Sequence, residues 1–150
     1  MELGIPEILK IQKNRHPLLY IDKIINLVPG KSATAIKNYS YNEWFFPAHF
    51  KDDPNVPGFI QIESLVQTFI MTFLSIEGNQ GNKTNFLKIN NATFKKKIVP
   101  GDVSTIYAEL ESFKRGLAKG KARSEVDGEI ACSAEFLVSL PAILDSFKPK

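Results

Sequence analysis

Hydrophobic and polar positions along this chain follow two rhythms, and their order predicts the architecture. Near the N-terminus, Pro6 sits where a first helical turn tolerates it and opens a short helix through about Gln12. Leu18 to Leu27 reads as a strand, Pro29-Gly30 as a turn, and Ser32 to Tyr41 as a second strand rich in β-compatible residues. Asn42 can cap a brief helical turn over Glu43-Trp44-Phe45-Phe46. A loop punctuated by Pro47, Pro54 and Pro57 leads to Gly58, and a helix then runs to about Ile76. Apolar residues at 59, 60, 62, 65, 66, 69, 70, 71, 73, 74 and 76 cover most of its circumference, so other structure must enclose it.

The rhythm then changes to period two. Strands are predicted over Asn85–Lys97, Val103–Lys114, Ala118–Val126 and Glu129–Leu140. Pro100-Gly101-Asp102, Arg115-Gly116 and the hairpin pair Asp127-Gly128 separate them. In the last strand Ile130, Cys132, Ala134, Phe136, Val138 and Leu140 share one face. One long apolar helix among antiparallel strands implies an α+β fold, a sheet of about six strands curled around that helix.

Composition adds bounds. A chain of 150 residues without repeat or linker fits a single domain spanning 1–150, large enough to bury a core. The net charge of +3 is too mild to argue for nucleic acid. The stretch from Phe59 to Ile76 is interrupted by Gln61, Glu63, Ser64, Gln67 and Thr68, which reads as a buried helix and not a membrane span. No cationic and apolar leader is visible at the N-terminus, so the expected location is the cytoplasm. Cys132 is the lone cysteine and cannot make an internal disulfide.

Five residues bear on possible chemistry. His16, beside Pro17 at a strand entrance, reads as surface structure. His49 sits between Trp44-Phe45-Phe46-Pro47-Ala48 and Phe50, as packed structure or as a base. Glu63 lies in the second turn of the enclosed helix, where a carboxylate is costly unless paired, protonated or used. Gln67, four residues on, shares its face and could hold it by a hydrogen bond. The alternative for Glu63 is a carboxylate complementing the helix dipole at an exposed edge. Gly58 opens the helix, either as plain turn chemistry or as a free N–H that a ligand can approach. Base, acid and oxyanion donor are the parts needed to remove a proton beside a thioester carbonyl and expel a β-hydroxyl.

At this point the residues resemble a known family. The segment KSATAIKNYSYNEWFFPAHF from Lys31 to Phe50, then PGFIQIESLVQ from Pro57 to Gln67, is similar to the bacterial 3-hydroxyacyl-acyl-carrier-protein dehydratases of the Z type, which have the hot-dog fold. The likeness continues through TFKKKIVPGD, from Thr93 to Asp102, and through Val126-Asp127-Gly128-Glu129. It covers about Arg15 to Val138, and the fourteen-residue separation of His49 and Glu63 is the family's.

The resemblance implies that His49 takes the α-proton and that Glu63, from the neighbouring subunit, protonates the departing hydroxyl. Gly58 would hold the thioester carbonyl, and Gln67 occupies a position close to the acid, so both are expected substrate-binding positions. Metal and cofactor are expected to be absent. The implied partners are an acidic acyl carrier protein, docked by Lys95 and Lys96, and further copies of the chain in a homodimer or a trimer of dimers with interfacial sites. A solvated strand end is the bland reading of those lysines. The chain departs from the family where Gly-His-Phe-Pro-Gly is usual: it reads Ala48-His49-Phe50-Lys51-Asp52-Asp53, with two added carboxylates. A dehydratase for a specialised pathway fits this change. An acyl-thioesterase using Glu63 to activate water, or a non-catalytic acyl-thioester binder, are the competing readings.

Overall fold

In the computed structural model, which describes residues 1–149, the long apolar helix is the centre around which the strands are arranged. The elements are α1 (Ile5–Ile11), β1 (Lys23–Val28), β2 (Ser32–Asn38), a 3-10 turn (Phe46–Ala48), α2 (Gly58–Leu74), β3 (Asn85–Phe94), β4 (Val103–Lys114), β5 (Leu117–Val126), β6 (Glu129–Ser139) and α3 (Pro141–Leu144). A second 3-10 turn, Asp145–Phe147, follows α3. Six strands form one antiparallel sheet in the order β1-β2-β4-β5-β6-β3, and α2 packs against β1, β2, β4, β5 and β6. This is the hot-dog arrangement. Arg115-Gly116 and Asp127-Gly128 all have positive φ, the mirror-image turn whose twist suits a two-residue hairpin.

A helix this apolar still carries Ser64, Gln67, Thr68 and Thr72 at buried positions. Two of the four serve a neighbouring segment. The Ser64 hydroxyl donates to the Tyr20 carbonyl at 2.9 Å, and the Gln67 amide oxygen accepts from the Tyr20 N–H at 2.7 Å. The Gln67 amide nitrogen donates to the Leu18 carbonyl at 2.7 Å. Thr68 and Thr72 instead bond back to carbonyls of their own helix.

These bonds correct the expected strand over Leu18–Leu27. The backbone at Leu18 and Tyr20 takes its partners from helix side chains instead of a strand, and β1 begins only at Lys23. The early helical turn is corrected too: the 3-10 turn covers Phe46–Ala48, where Pro47 provides the φ it needs, and the Asn42 amide is taken by the Ser40 hydroxyl. In β6 the single-face reading fails at one end. Ser124 faces Cys132 but Glu125 faces Ile130, so a bulge leaves Ala131 over and reverses the alternation. Ala131 is therefore buried and Ile130 is partly exposed.

The core divides into two clusters. The larger joins α1, α2 and the inner faces of the sheet, with Phe69 stacked on Phe136 at 5.8 Å and on the edge of Phe73 at 5.7 Å. The smaller gathers Tyr20, Tyr39, Phe45, Phe46, Val56, Ile60, Ile98, Val126 and Ala131 at the start of α2. Gly120 on β5 lets α2 lie this close to the sheet. A Cβ there would lie 2.5 Å from a Phe69 ring carbon and collide with the Glu109 carbonyl oxygen. Backbone cannot yield as a flexible side chain would, so Gly120→Ala should destabilise the protein by about 1–3 kcal/mol. Thermal unfolding checks this, and an unchanged Tm would mean that β4 and β5 give way without cost.

Candidate active site

Aromatic packing sets His49 in place. Phe45 and Phe46 are buried edge to face at 4.8 Å, and Phe45 also meets Tyr20 and Tyr39, each at 6.4 Å. They anchor the 3-10 turn from below, and His49 follows at its C-terminal end with its N–H donated to the Phe46 carbonyl at 3.2 Å. The imidazole is half-buried beside the exposed Phe50 ring, 4.3 Å between centroids, and the His49–Phe50 peptide bond is cis.

The tautomer of His49 follows from its one hydrogen bond. Nδ1 lies 3.0 Å from the Asn55 carbonyl oxygen. A carbonyl only accepts, so Nδ1 carries a proton, and in the neutral ring Nε2 is left with a free lone pair. That is the arrangement a general base needs.

Gly58 is the first residue of α2, after Pro57. The amides of Gly58 and Phe59 have no acceptor among the described residues outside the helix, as expected for its first turn. A Cβ at Gly58 would lie 3.1 Å from the Phe94 ring, so glycine is also what lets that ring close over the helix start.

Glu63 lies one turn further along and is half-buried. Its Oε1 accepts from the Gln67 Nε2 at 2.9 Å. Gln67 is fully buried, and both N–H bonds of its amide are engaged, one on Leu18 and one on Glu63, while its oxygen takes Tyr20. Gln67 therefore has no donor to offer a ligand. Within this chain its amide holds the Glu63 carboxylate, the hydrogen bond expected from their spacing.

His49 and Glu63 do not face one concavity of this chain. His49 lines one with Asn55, Gly58, Gln61, Phe94 and Lys95 to Lys97. Glu63 lines another, of about 610 Å³, with Leu18, Tyr20, Phe59, Phe86 and Phe94. Gly58 and Phe94 belong to both and separate them.

The lysines rim the His49 side. The chain leaves β3 at Phe94, because the Lys95 and Lys96 amides both turn onto the Ala131 carbonyl, at 2.8 and 3.3 Å. The expected strand through Lys97 is thus shortened. Lys96 pairs with Glu129 at 3.1 Å and Lys97 with Asp53 at 3.0 Å, and Lys95 is exposed with no acidic partner among the described residues. His16 is exposed on the turn before Pro17. Burial pushes the Cys132 thiol up to about 12, far from a nucleophile's range. Asn55 and Phe94 were not singled out from sequence. A lone loop asparagine after Pro54 and the last apolar residue of a strand carry no pattern that marks them.

Among the described residues no helix is long and apolar enough to cross a membrane. A family model described as the FabA-like domain matches residues 13–135. The 3-hydroxyacyl-[acyl-carrier-protein] dehydratase FabZ of Clostridium novyi is 41% identical over 93% of this chain and 99% of that protein. FabZ of Clostridium botulinum strain Kyoto is 45% identical over 90% and 94%, and FabZ of Syntrophomonas wolfei 39% identical over 93% and 97%. Among solved structures, a chain of the dehydratase heterocomplex ApeI:P from Xenorhabdus doucetiae superposes with a TM-score of 0.76 at 13% identity, over 95% of this chain and 97% of that one. A putative thioesterase from Ralstonia eutropha does so with a TM-score of 0.60 at 17% identity, over 77% and 82%. Both share the fold.

Proposed function

This chain belongs to the FabA-like family and is a 3-hydroxyacyl-[acyl-carrier-protein] dehydratase, and from that premise we propose that His49 and a partner subunit's acid make up its active site. The reaction it catalyses removes water from a 3-hydroxyacyl thioester to give the trans-2-enoyl thioester. His49 Nε2 takes the proton from Cα, and the electron pair of that C–H bond moves into the forming Cα–Cβ double bond. The Cβ–O bond breaks as Glu63 delivers its proton to the departing hydroxyl, which leaves as water. The proton gained by the imidazole returns to the carboxylate through water, so the cycle closes with no net proton. The Gly58 N–H, at the positive end of α2, meets the thioester oxygen where enolate charge develops. The observation that carries this reading is the His49 tautomer, which leaves Nε2 free.

The same reading requires a dimer. All ten residues of β3 are exposed, at an edge of the sheet, with Phe86, Leu87, Ile89 and Phe94 among them. A long apolar edge is a template for pairing with another chain. Two copies joined along β3 by a twofold axis would cover it, and would bring Glu63 of one chain toward His49 of the other across the Phe94 ring. The decisive assay is incubation with hydroxyacyl and enoyl thioesters on carrier protein. Interconversion without release of free thiol is expected, and thiol release would mark a thioesterase.

The carrier protein is acidic, and Lys95 is the lysine on the His49 rim that pairs with no carboxylate among the described residues. Lys95→Glu should raise KM for carrier-bound substrate about tenfold at low salt and leave a small thioester mimic unaffected, because a rim charge steers encounter. Lys96, already paired with Glu129, should matter less. Raised ionic strength should mimic the substitution in the native enzyme. Equal effects on both substrates would return Lys95 to a solvated strand end.

A further inference from the structure

The loop that carries His49 is closed by a small network of hydrogen bonds, and one side chain in it has no role in the reaction described above. Phe50 and Asp53 exchange backbone hydrogen bonds at 2.9 and 3.0 Å, and the Asn55 N–H donates to the His49 carbonyl at 2.9 Å. The Asn55 carbonyl in turn accepts from His49 Nδ1. Pro54 stands between Asp53 and Asn55 and has no N–H to give. The Asn55 side chain adds a bond of its own: its Nδ2 donates to the Asp53 carbonyl at 3.0 Å, which also accepts from the Phe50 N–H. Asn55 is 9% exposed and lines the His49 concavity. The Asp53 carboxylate is turned away, onto Lys97.

We infer that Asn55 is a positioning residue: its side-chain amide pins the loop so that its own backbone carbonyl stays on His49 Nδ1 and keeps Nε2 as the basic nitrogen. The role assigned to the Asn55 side chain is exerted through the loop and not on the reacting atoms. It acts through the carbonyl one residue's width away, and through the turn at Phe50–Asp53 that it closes from the inside. Without the pin, residues 53 to 55 are held by backbone bonds alone, and the carbonyl is free to move off the ring. The imidazole then samples both tautomers and both orientations, and only one of these presents an acceptor to the α-proton. A misplacement of this size at a reacting group is costly even when binding is unchanged.

The inference rests on the reading of His49 as the base, and the experiment separates the two. The chain has two histidines, so His16→Gln leaves His49 as the single imidazole for nitrogen-15 NMR. In that background the neutral ring should show the Nδ1–H tautomer. Asn55→Val should give a mixture of tautomers and lower kcat about tenfold with KM within twofold. Asn55→Asp, the same size but without an N–H, carries the test if the valine variant does not fold. It should also lose the single tautomer, and the acidic limb of kcat/KM against pH should move upward, because the added carboxylate favours the imidazolium. A pure Nδ1–H tautomer with kcat within twofold in a folded variant would overturn the role of Asn55. Full turnover in His49→Ala would overturn the base reading alone, while the tautomer measurement would still decide the positioning.

Discussion

His49→Ala should lower the rate of water elimination by about 10³-fold and leave the fold intact, since a positioned general base contributes about 10²–10⁴. The size of the loss follows from the lack of a substitute. His16 is exposed on a turn at the other end of the Leu18–Tyr20 segment, and Cys132 is buried with its thiol held at about 12. The fold should survive because His49 is only half-buried and the ring it packs on, Phe50, is itself exposed. The turn beneath it hangs on Phe45 and Phe46, which the substitution does not touch. Turnover is read as hydroxyacyl-to-enoyl conversion on carrier protein, with circular dichroism and Tm as controls. Near-normal conversion would remove His49 as the base of the dehydration. Release of free thiol that persists in the variant would favour water activation by Glu63.

How far sequence reaches is visible in particular residues. The long helix could be read because an apolar surface all round has one structural meaning, and α2 ends within two residues of the expected stop. The Asp127-Gly128 turn could be read because two adjacent positive φ values select Asn, Asp or Gly, while at Arg115-Gly116 only the glycine marks the turn. The stretch at Leu18 to Tyr20 is not legible as a non-strand, because the Leu18 and Tyr20 carbonyls and the Tyr20 N–H bond the side chains of Ser64 and Gln67, more than forty residues away. Ile130 was placed inward because period-two reasoning assumes an unbroken ladder, and a single bulge reverses every face beyond it. A strand running through Lys97 would split the three lysines between its two faces, whereas the chain leaves β3 after Phe94 and brings all three to one rim.

The site divides along the same line. The Gln67 hydrogen bond to Glu63 follows from local spacing, since i and i+4 share a helix face, whereas the roles of His49 and Glu63 are implied by the resemblance. The tautomer of His49 depends on a carbonyl six residues on, and nothing in residue identity reports a carbonyl's direction. Phe94 was invisible because its importance lies in closing over a glycine thirty-six positions earlier. Spacing is also silent on whether His49 and Glu63 meet within one chain or between two.

That last question yields to a mixing experiment with a large expected effect. His49→Ala and Glu63→Gln homodimers should each be nearly inactive, the second because an amide has no proton to give to a leaving hydroxide. If each site takes its histidine from one chain and its acid from the other, a mixed dimer holds one site with both lesions and one with none. Equal amounts of the two variants, exchanged at random, place half of the dimers in the mixed state with one intact site of two. The mixture should therefore recover about a quarter of native activity from two preparations that have almost none. If both residues served a site from the same chain, every site in the mixture would carry a lesion and no activity would return. The structure favours the first outcome, because His49 and Glu63 line separate concavities on either side of Phe94 and the apolar edge of β3 is open. Subunit exchange is verified by tagging one variant and isolating the mixed species, whose own activity should be about half of native. Inactivity in that isolated species would mean that both groups act within one chain, and that β3 pairs, if it pairs, for stability alone.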